Sequence, residues 1–159
     1  MTALMKAVEA GDAARVKALI AAGESVNVAN ASGDYPLVMA AYLGHSAIVG
    51  MLLDAGADLT VTDPGMKATA LHAASYAGRH DAAALLVRAG IAVDQQGPYN
   101  GYTALHDAIW QNNIDVARML IEAGADLTIR NNEGQTPLAF AQAKRHHEIA
   151  AIIEAKTRG

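Results

Sequence analysis

The 159-residue sequence predicts an all-α solenoid, in which stacked helix-turn-helix units are joined by β-hairpin-like fingers. Three series of residues recur every 33 or 34 positions along the chain. The first is a leucine two residues after a threonine or tyrosine, at Leu4, Leu37, Leu71, Leu105 and Leu138. The second is a glycine that closely follows an aliphatic pair, at Gly23, Gly56, Gly90 and Gly124. The third comprises Gly11, Gly44, Gly78, Asn112 and Arg145. A fixed period of this length indicates a repeat protein.

One unit contains signals for two short helices and a turn. Thr103 is suited to cap the first helix, and in the last unit Pro137 suits the first helical position. Gly78 can end a first helix, because glycine readily adopts the left-handed conformation. Residues 115–122 carry apolar side chains on one helical face, and Gly124 ends this second helix. About ten residues then remain before the next unit, and they contain turn-forming pairs such as Asn-Gly.

A tetratricopeptide array has nearly the same period but consists of two longer helices in each unit. It has no place for a non-helical finger in every unit, and the regular glycines would interrupt its helices. We therefore exclude this alternative.

Several stretches carry a more specific pattern: Thr69-Ala-Leu-His-Ala-Ala74, Thr103-Ala-Leu-His-Asp-Ala108, Thr136-Pro-Leu138, Gly56-Ala-Asp-Leu59 and Gly124-Ala-Asp-Leu127. They resemble the ankyrin repeat family, whose unit contains a Thr-Pro-Leu-His-x-Ala-Ala start and a Gly-Ala-Asp-Val-Asn stretch. The resemblance implies a single ankyrin repeat domain over residues 1–159. Its units are expected at about 2–34, 35–68, 69–102, 103–135 and 136–159. The first and last units are rich in polar residues, as expected of caps that face water.

Some positions depart from the family pattern or have a structural explanation. The resemblance implies that His72 and His106 form hydrogen bonds between neighbouring units. At the corresponding position the other units have Met5, Val38 and Ala139, so the bond should be missing there. We expect structural roles for Tyr35, which replaces a capping threonine, and for Phe140, which lies beside the C-terminal cap.

Aromatic residues recur at one position near the end of the first helix, at Tyr42, Tyr76 and Trp110. The family presents this part of the helix, together with the fingers, along a concave groove that binds partners. The resemblance therefore places the three rings in a ladder across that groove. Asp107 and Gln111 lie at i−3 and i+1 of Trp110, and we expect both to border its exposed side.

Two intervals between the repeated leucines, Leu37 to Leu71 and Leu71 to Leu105, are 34 residues long instead of 33, which places one extra residue in each of two fingers. These two fingers carry the large side chains Met66, Tyr99 and Tyr102. Tyrosine and tryptophan dominate binding hot spots, so these residues complete the predicted partner-binding set. The alternative is that the aromatic residues pack on the next unit. If Trp110 is a hot spot, Trp110→Ala should weaken binding by about 2 kcal/mol or more and leave stability nearly unchanged.

The sequence contains no pattern that indicates an enzyme, a cofactor or a metal site. Gly-x-Ser-x-Gly, phosphate-binding glycine loops and His-Glu-x-x-His are absent. The histidines do not have the spacing of convergent zinc ligands, and the adjacent His146 and His147 point to different sides of a helix. Asp107 beside His106 is the nearest approach to an acid–base pair. We therefore expect no catalytic residues, no cofactor and no bound metal.

Charge and hydropathy narrow the class of partner. Twelve basic and sixteen acidic residues give a net charge of −4 without a basic run, which argues against nucleic acid. No apolar run approaches the roughly 18–20 residues of a membrane span. We expect a monomer that binds a partner protein. Alternatives are an inhibitor or regulator of a partner enzyme or toxin, and a small-molecule or catalytic site in the groove.

The expected compartment is the cytoplasm. Cysteine is absent, and acidic residues near the N-terminus interrupt any export signal. The periplasm is the expectation if a signal peptide has been removed.

Overall fold

The computed structural model describes residues 1–159 and consists of ten α-helices, which confirms the all-α prediction. The helices are α1 (Ala3–Ala10), α2 (Ala13–Ala21), α3 (Pro36–Leu43), α4 (Ser46–Asp54), α5 (Ala70–Ala77), α6 (His80–Arg88), α7 (Ala104–Trp110), α8 (Ile114–Glu122), α9 (Pro137–Ala143) and α10 (His147–Arg158). None of them has the length and apolar character needed to cross a membrane.

The helices form antiparallel pairs that stack in chain order. The first helices of the pairs (α1, α3, α5, α7 and α9) each pack on the next, and so do the second helices (α2, α4, α6, α8 and α10). Leucine, isoleucine, valine and alanine side chains between the two layers form one continuous core that runs from Leu4 to Ile153. Each unit thus contacts its neighbours, as expected for a solenoid.

The first helices begin at the residues that the repeat pattern predicts. Four have a threonine N-cap whose hydroxyl accepts a hydrogen bond from the backbone N–H three residues later, at Thr2, Thr69, Thr103 and Thr136. Tyr35 caps α3 without a side-chain hydrogen bond, and Pro36 occupies the first helical position there. The missing threonine in the second unit therefore removes one local hydrogen bond without removing the helix.

The third repeated series ends the first helices in the left-handed conformation. Gly44 and Gly78 have φ values of 77° and 73°, and their N–H groups bond to carbonyls of the last helical turn. A Cβ at Gly44 would lie 2.6 Å from Cδ of Arg79 in the next unit, so another residue there would displace the Arg79 side chain. Asn112 and Arg145 adopt the same conformation in the later units, with φ values of 55° and 60°.

His72 and His106 each bond to the last residue of their own unit, in the finger that leads to the next first helix, so the prediction of a hydrogen bond between neighbouring units is wrong in its partner. Nε2 of His72 lies 3.0 Å from the carbonyl oxygen of Tyr102, and Nε2 of His106 lies 3.0 Å from that of Gln135. Because a carbonyl oxygen only accepts, Nε2 carries the proton in both rings. Nδ1 then accepts from the hydroxyl of the capping threonine, at 2.8 Å in the third unit and 2.9 Å in the fourth.

The fingers between units are tight turns rather than β-ladders. A backbone hydrogen bond closes the finger at residues 63–68, where the N–H of Asp63 donates to Ala68, and the finger at 97–102, where that of Gly97 donates to Tyr102. The one β-bridge, between Thr62 and Thr69, flanks the first of these fingers. This geometry agrees with the hairpin-like fingers expected from the sequence.

Candidate partner-binding site

A cavity of about 470 Å³ lies where α3, α5 and α7 meet the two long fingers at residues 63–68 and 97–102. We call it the central cavity. The helices contribute Tyr42, His72, Ala73, Tyr76, Asp107 and Trp110, and the fingers contribute Asp63, Met66, Ala68, Gly97, Asn100 and Tyr102. The middle units of the array thus form a concave site.

Small residues leave the space that the central cavity occupies. The fourth residue after the N-cap is Phe140 in the last unit, where the ring is buried, but it is Ala73 in the third unit. Ala68 and Gly97 in the fingers are equally small and also line the cavity. The space between the fingers and α5 therefore remains open instead of being filled by a side chain.

Six of the eight residues predicted for partner binding line the central cavity: Tyr42, Tyr76, Trp110, Asp107, Met66 and Tyr102. The other two lie outside it. Gln111 is the exposed C-cap of α7, and Tyr99 is 59% exposed on its finger. The carbonyl of Tyr99 accepts a hydrogen bond from the side chain of Asn132, so this residue ties its finger to the next one.

The three repeated aromatic residues are exposed to different environments. Tyr42 and Tyr76 are 48% and 44% exposed, and neither ring forms an aromatic pair. Trp110 is 43% exposed but also stacks on Phe140, with ring centroids 6.0 Å apart and an interplanar angle of 15°. Trp110 therefore packs on the next unit and still exposes part of its ring, whereas Tyr42 and Tyr76 expose their rings without an aromatic partner.

Lys144 adds a cation to this cluster. Its Nζ lies 3.8 Å from the centroid of the Trp110 ring, within the range of a cation–π interaction. Tyr102 also belongs to the cluster and forms an edge-on pair with Phe140, with centroids 5.2 Å apart. Since Trp110 has these packing partners, the expectation that Trp110→Ala leaves stability nearly unchanged must be revised.

Asp107 is the most perturbed ionisable group of the site. Its carboxylate makes neither a hydrogen bond nor a salt bridge, and burial alone raises its pKa to about 7. The neighbouring His106 ring is buried, and its two nitrogens bond to Thr103 and Gln135. The two side chains thus do not form an acid–base pair, and Asp107 is left without a partner.

The charged side chains that line the cavity are acidic. Asp63 accepts hydrogen bonds from the backbone N–H groups of Met66 and Ala68 through one oxygen, at 3.1 and 2.9 Å. Burial lowers the pKa of His72, despite opposing contributions from its hydrogen bonds and Asp63, so this ring is neutral at pH 7. Burial raises the pKa of Tyr102, with smaller contributions from Glu133 and Asp107. No lining side chain therefore carries a positive charge at pH 7.

Sequence reasoning missed several features of this site. Asp63 carried no signal as a site residue, because its position in a turn is a sufficient explanation by itself. Lys144 lies in the polar last unit, where a role in the cap explains it, although it immediately follows the position that Trp110 holds one unit earlier. No group of three or more His, Asp or Glu side chains converges as in a metal site.

A family model for ankyrin repeats (three copies) matches residues 1–63 and 62–131 of the chain. A search of curated proteins found no match.

Proposed function

Because the chain belongs to the ankyrin repeat family, we propose that it is a non-enzymatic module that binds a partner protein through the central cavity and the adjoining fingers. Ankyrin repeats are generally protein–protein interaction modules. The finer proposal names the surface: the exposed rings of Tyr42, Tyr76 and Trp110 with the finger residues Met66, Tyr99 and Tyr102. Asp107 and Gln111 belong to the same proposed surface.

The observation that supports this surface is its exposed apolar area. Tyr42, Tyr76, Trp110 and Met66 are each at least 43% exposed, and all four line one cavity. A cluster of large apolar side chains on a protein surface is typical of an interaction site, whereas single exposed residues are not informative. Tyrosine and tryptophan also supply large contact areas with few rotatable bonds.

The solenoid favours binding because its surface is already ordered. Tyr42, Tyr76 and Trp110 project from helices that are fixed on both sides by neighbouring units. The two fingers are closed by backbone hydrogen bonds. Little conformational entropy is therefore lost when a partner binds.

Affinity capture from a lysate of the source organism tests this proposal. The test variant is Tyr42→Ala/Tyr76→Ala, since these two rings make no aromatic pairs and their loss should not unfold the protein. The matched control is Arg88→Ala/Glu122→Ala, which changes exposed residues on α6 and α8. We expect the wild type and the control to retain a protein that the folded test variant loses. Equal retention by all three proteins would place the interface on another surface.

A second candidate function is the binding of a small molecule, and the cavity size favours it. A volume of about 470 Å³ lies within the range of small-molecule sites, roughly 300–1,000 Å³. A saturable increase in melting temperature with one compound of a metabolite panel would support this candidate. The increase should disappear in Tyr42→Ala/Tyr76→Ala.

We further propose that the chain forms one domain of five units, with polar caps at 2–34 and 136–159, and that it is a cytoplasmic monomer. Light scattering of the purified protein tests the monomer. If the protein inhibits or regulates an enzyme or toxin, the captured partner should lose activity when the wild-type protein is added.

A further inference from the structure

The central cavity combines aromatic rings with carboxylates, a pairing suited to an organic cation. Tyr42, Tyr76 and Trp110 expose ring surface, and Asp63 and Asp107 supply the acidic groups. We propose that the cavity receives an arginine side chain of the partner protein, an inference that rests on the proposed protein-binding function. The faces of Tyr42 and Tyr76, which make no aromatic pair, would stack on the guanidinium, and Asp107 would accept its hydrogen bonds.

The carboxylate of Asp107 has no partner in the free protein. No hydrogen bond or salt bridge reaches its carboxylate, although the residue is partly buried. Asp63 differs, because one of its oxygens already closes the finger by accepting from Met66 and Ala68. A guanidinium beside Asp107 would supply both the missing charge and the missing donors.

The protein already contains one interaction of the proposed kind. The ammonium of Lys144 lies 3.8 Å from the centroid of the Trp110 ring at the edge of the cavity. An aromatic face in this site therefore accommodates a cation. We favour arginine over lysine for the partner because a planar guanidinium stacks on rings and can bind a carboxylate with two parallel hydrogen bonds.

The proposal includes a dependence on pH. The titratable groups that line the cavity with Asp107 are His72 and Tyr76 on α5, Tyr42 on α3, and Asp63 and Tyr102 on the fingers, and Lys144 lies over Trp110. His72 is neutral at pH 7, since burial lowers its pKa, and the pKa of Tyr102 is raised by burial. Asp107 is therefore the group that ionises in this site near pH 7. Arginine should bind more tightly as the pH rises and Asp107 becomes charged.

Peptide titrations followed by ¹⁵N–¹H NMR test the inference without the natural partner. The probes are acetyl-Gly-Gly-Arg-Gly-Gly-amide and the same peptide with citrulline, a neutral isostere of arginine, or with lysine. We expect the arginine peptide to shift the Trp110 indole and cavity resonances, and the citrulline peptide to bind at least about tenfold more weakly. Equal binding of citrulline would overturn the proposed cation site, and equal or tighter binding of lysine would overturn the choice of arginine.

The Asp107→Asn variant provides the decisive comparison, with Asp115→Asn on exposed α8 surface as its matched control. We expect Asp107→Asn to weaken arginine-peptide binding at least about tenfold and the control to leave it unchanged. For the wild type, affinity should increase by up to about thirtyfold between pH 5.5 and 8.5, if only the ionised carboxylate binds. Unchanged affinity in Asp107→Asn, or no pH dependence, would contradict the inference.

Failure of this inference differs from failure of the proposed function. If Tyr42→Ala/Tyr76→Ala loses the captured partner while Asp107→Asn retains it fully, the groove binds a protein but the arginine site is wrong. If the double variant captures the same proteins as the wild type, the proposed interface is wrong, and the peptide titrations then decide separately whether the cavity binds a cation.

Discussion

Replacing Asp107 with asparagine should stabilise the protein at neutral and alkaline pH. In the folded state the carboxylate is partly buried and has no partner, and burial raises its pKa from the ordinary value of 3.8 to about 7. A raised pKa means that the folded state holds the proton more tightly than the unfolded state. The contribution of Asp107 to stability is therefore highest below pH 3.8 and decreases as the pH rises from there through 7. Asparagine has a similar shape but carries no charge to desolvate.

The magnitude follows from the pKa difference between the two states. A rise from 3.8 to about 7 is about 3 units, and each unit corresponds to about 1.36 kcal/mol, which sets an upper limit of about 4 kcal/mol. Because Asp107 retains some contact with solvent, screening reduces this cost, and we expect a gain of about 1–3 kcal/mol for Asp107→Asn at pH 8.5. The gain should shrink steadily as the pH is lowered toward 4.

Urea unfolding followed by circular dichroism at several pH values measures this gain. The comparison of variant with wild type cancels the contributions of the histidines, which are the same in both proteins. Asp115→Asn is the control, since it removes the same charge from an exposed position in the first turn of α8, where we expect a loss below about 1 kcal/mol. A variant that is less stable than wild type at pH 8.5, or a gain independent of pH, would refute the account of a desolvated, unpaired Asp107.

Three further predictions concern stability. Gly44→Ala should cost about 1–2 kcal/mol in urea unfolding, because φ is 77° at this position, whereas Gly50→Ala inside α4 should stabilise by up to about 1 kcal/mol. Because burial lowers the pKa of His106, wild-type stability should decrease as the pH falls below about 6.5, and His106→Gln should flatten that decrease between pH 7.5 and 5.5. In thermal melts, Trp110→Ala should lose about 2 kcal/mol, because its contacts with Phe140 and Lys144 disappear, and Tyr76→Ala should lose less than about 1 kcal/mol. Equal changes in unfolding free energy for Gly44→Ala and Gly50→Ala would contradict the first prediction. A pH dependence of stability unchanged in His106→Gln would contradict the second, and equal losses for Trp110→Ala and Tyr76→Ala would contradict the third.

The ends of the helices could be predicted from the sequence because local chemistry determines them. The hydroxyl of Thr103 accepts a hydrogen bond from a backbone N–H three residues later. Gly44 adopts the left-handed backbone conformation, which costs other residues free energy. The period then transfers each local prediction to the other units. For the same reason the position shared by Tyr42, Tyr76 and Trp110 could be identified, since equal positions in a repeat lie side by side in the stack.

The electrostatics and the shape of the site depend on residues that are far apart in the chain. The pKa of Asp107 depends on what covers it and on the lack of a partner, and neither is encoded in its own unit. The position of Lys144 over Trp110 depends on how two neighbouring units are rotated against each other. Ala73 reads as an ordinary helix-forming residue in the sequence, and only the packed array shows that it leaves a cavity.

Site-specific photocrosslinking in the source cells tests the proposed binding surface most directly. Benzoylphenylalanine would replace Tyr76 in the central cavity in one variant and Arg88 on α6 in another, both of which are exposed positions. We expect a crosslinked partner protein from position 76 and none from position 88. Crosslinks from position 88 alone would contradict it, because the partner would then contact the second helices instead of the aromatic face of the first.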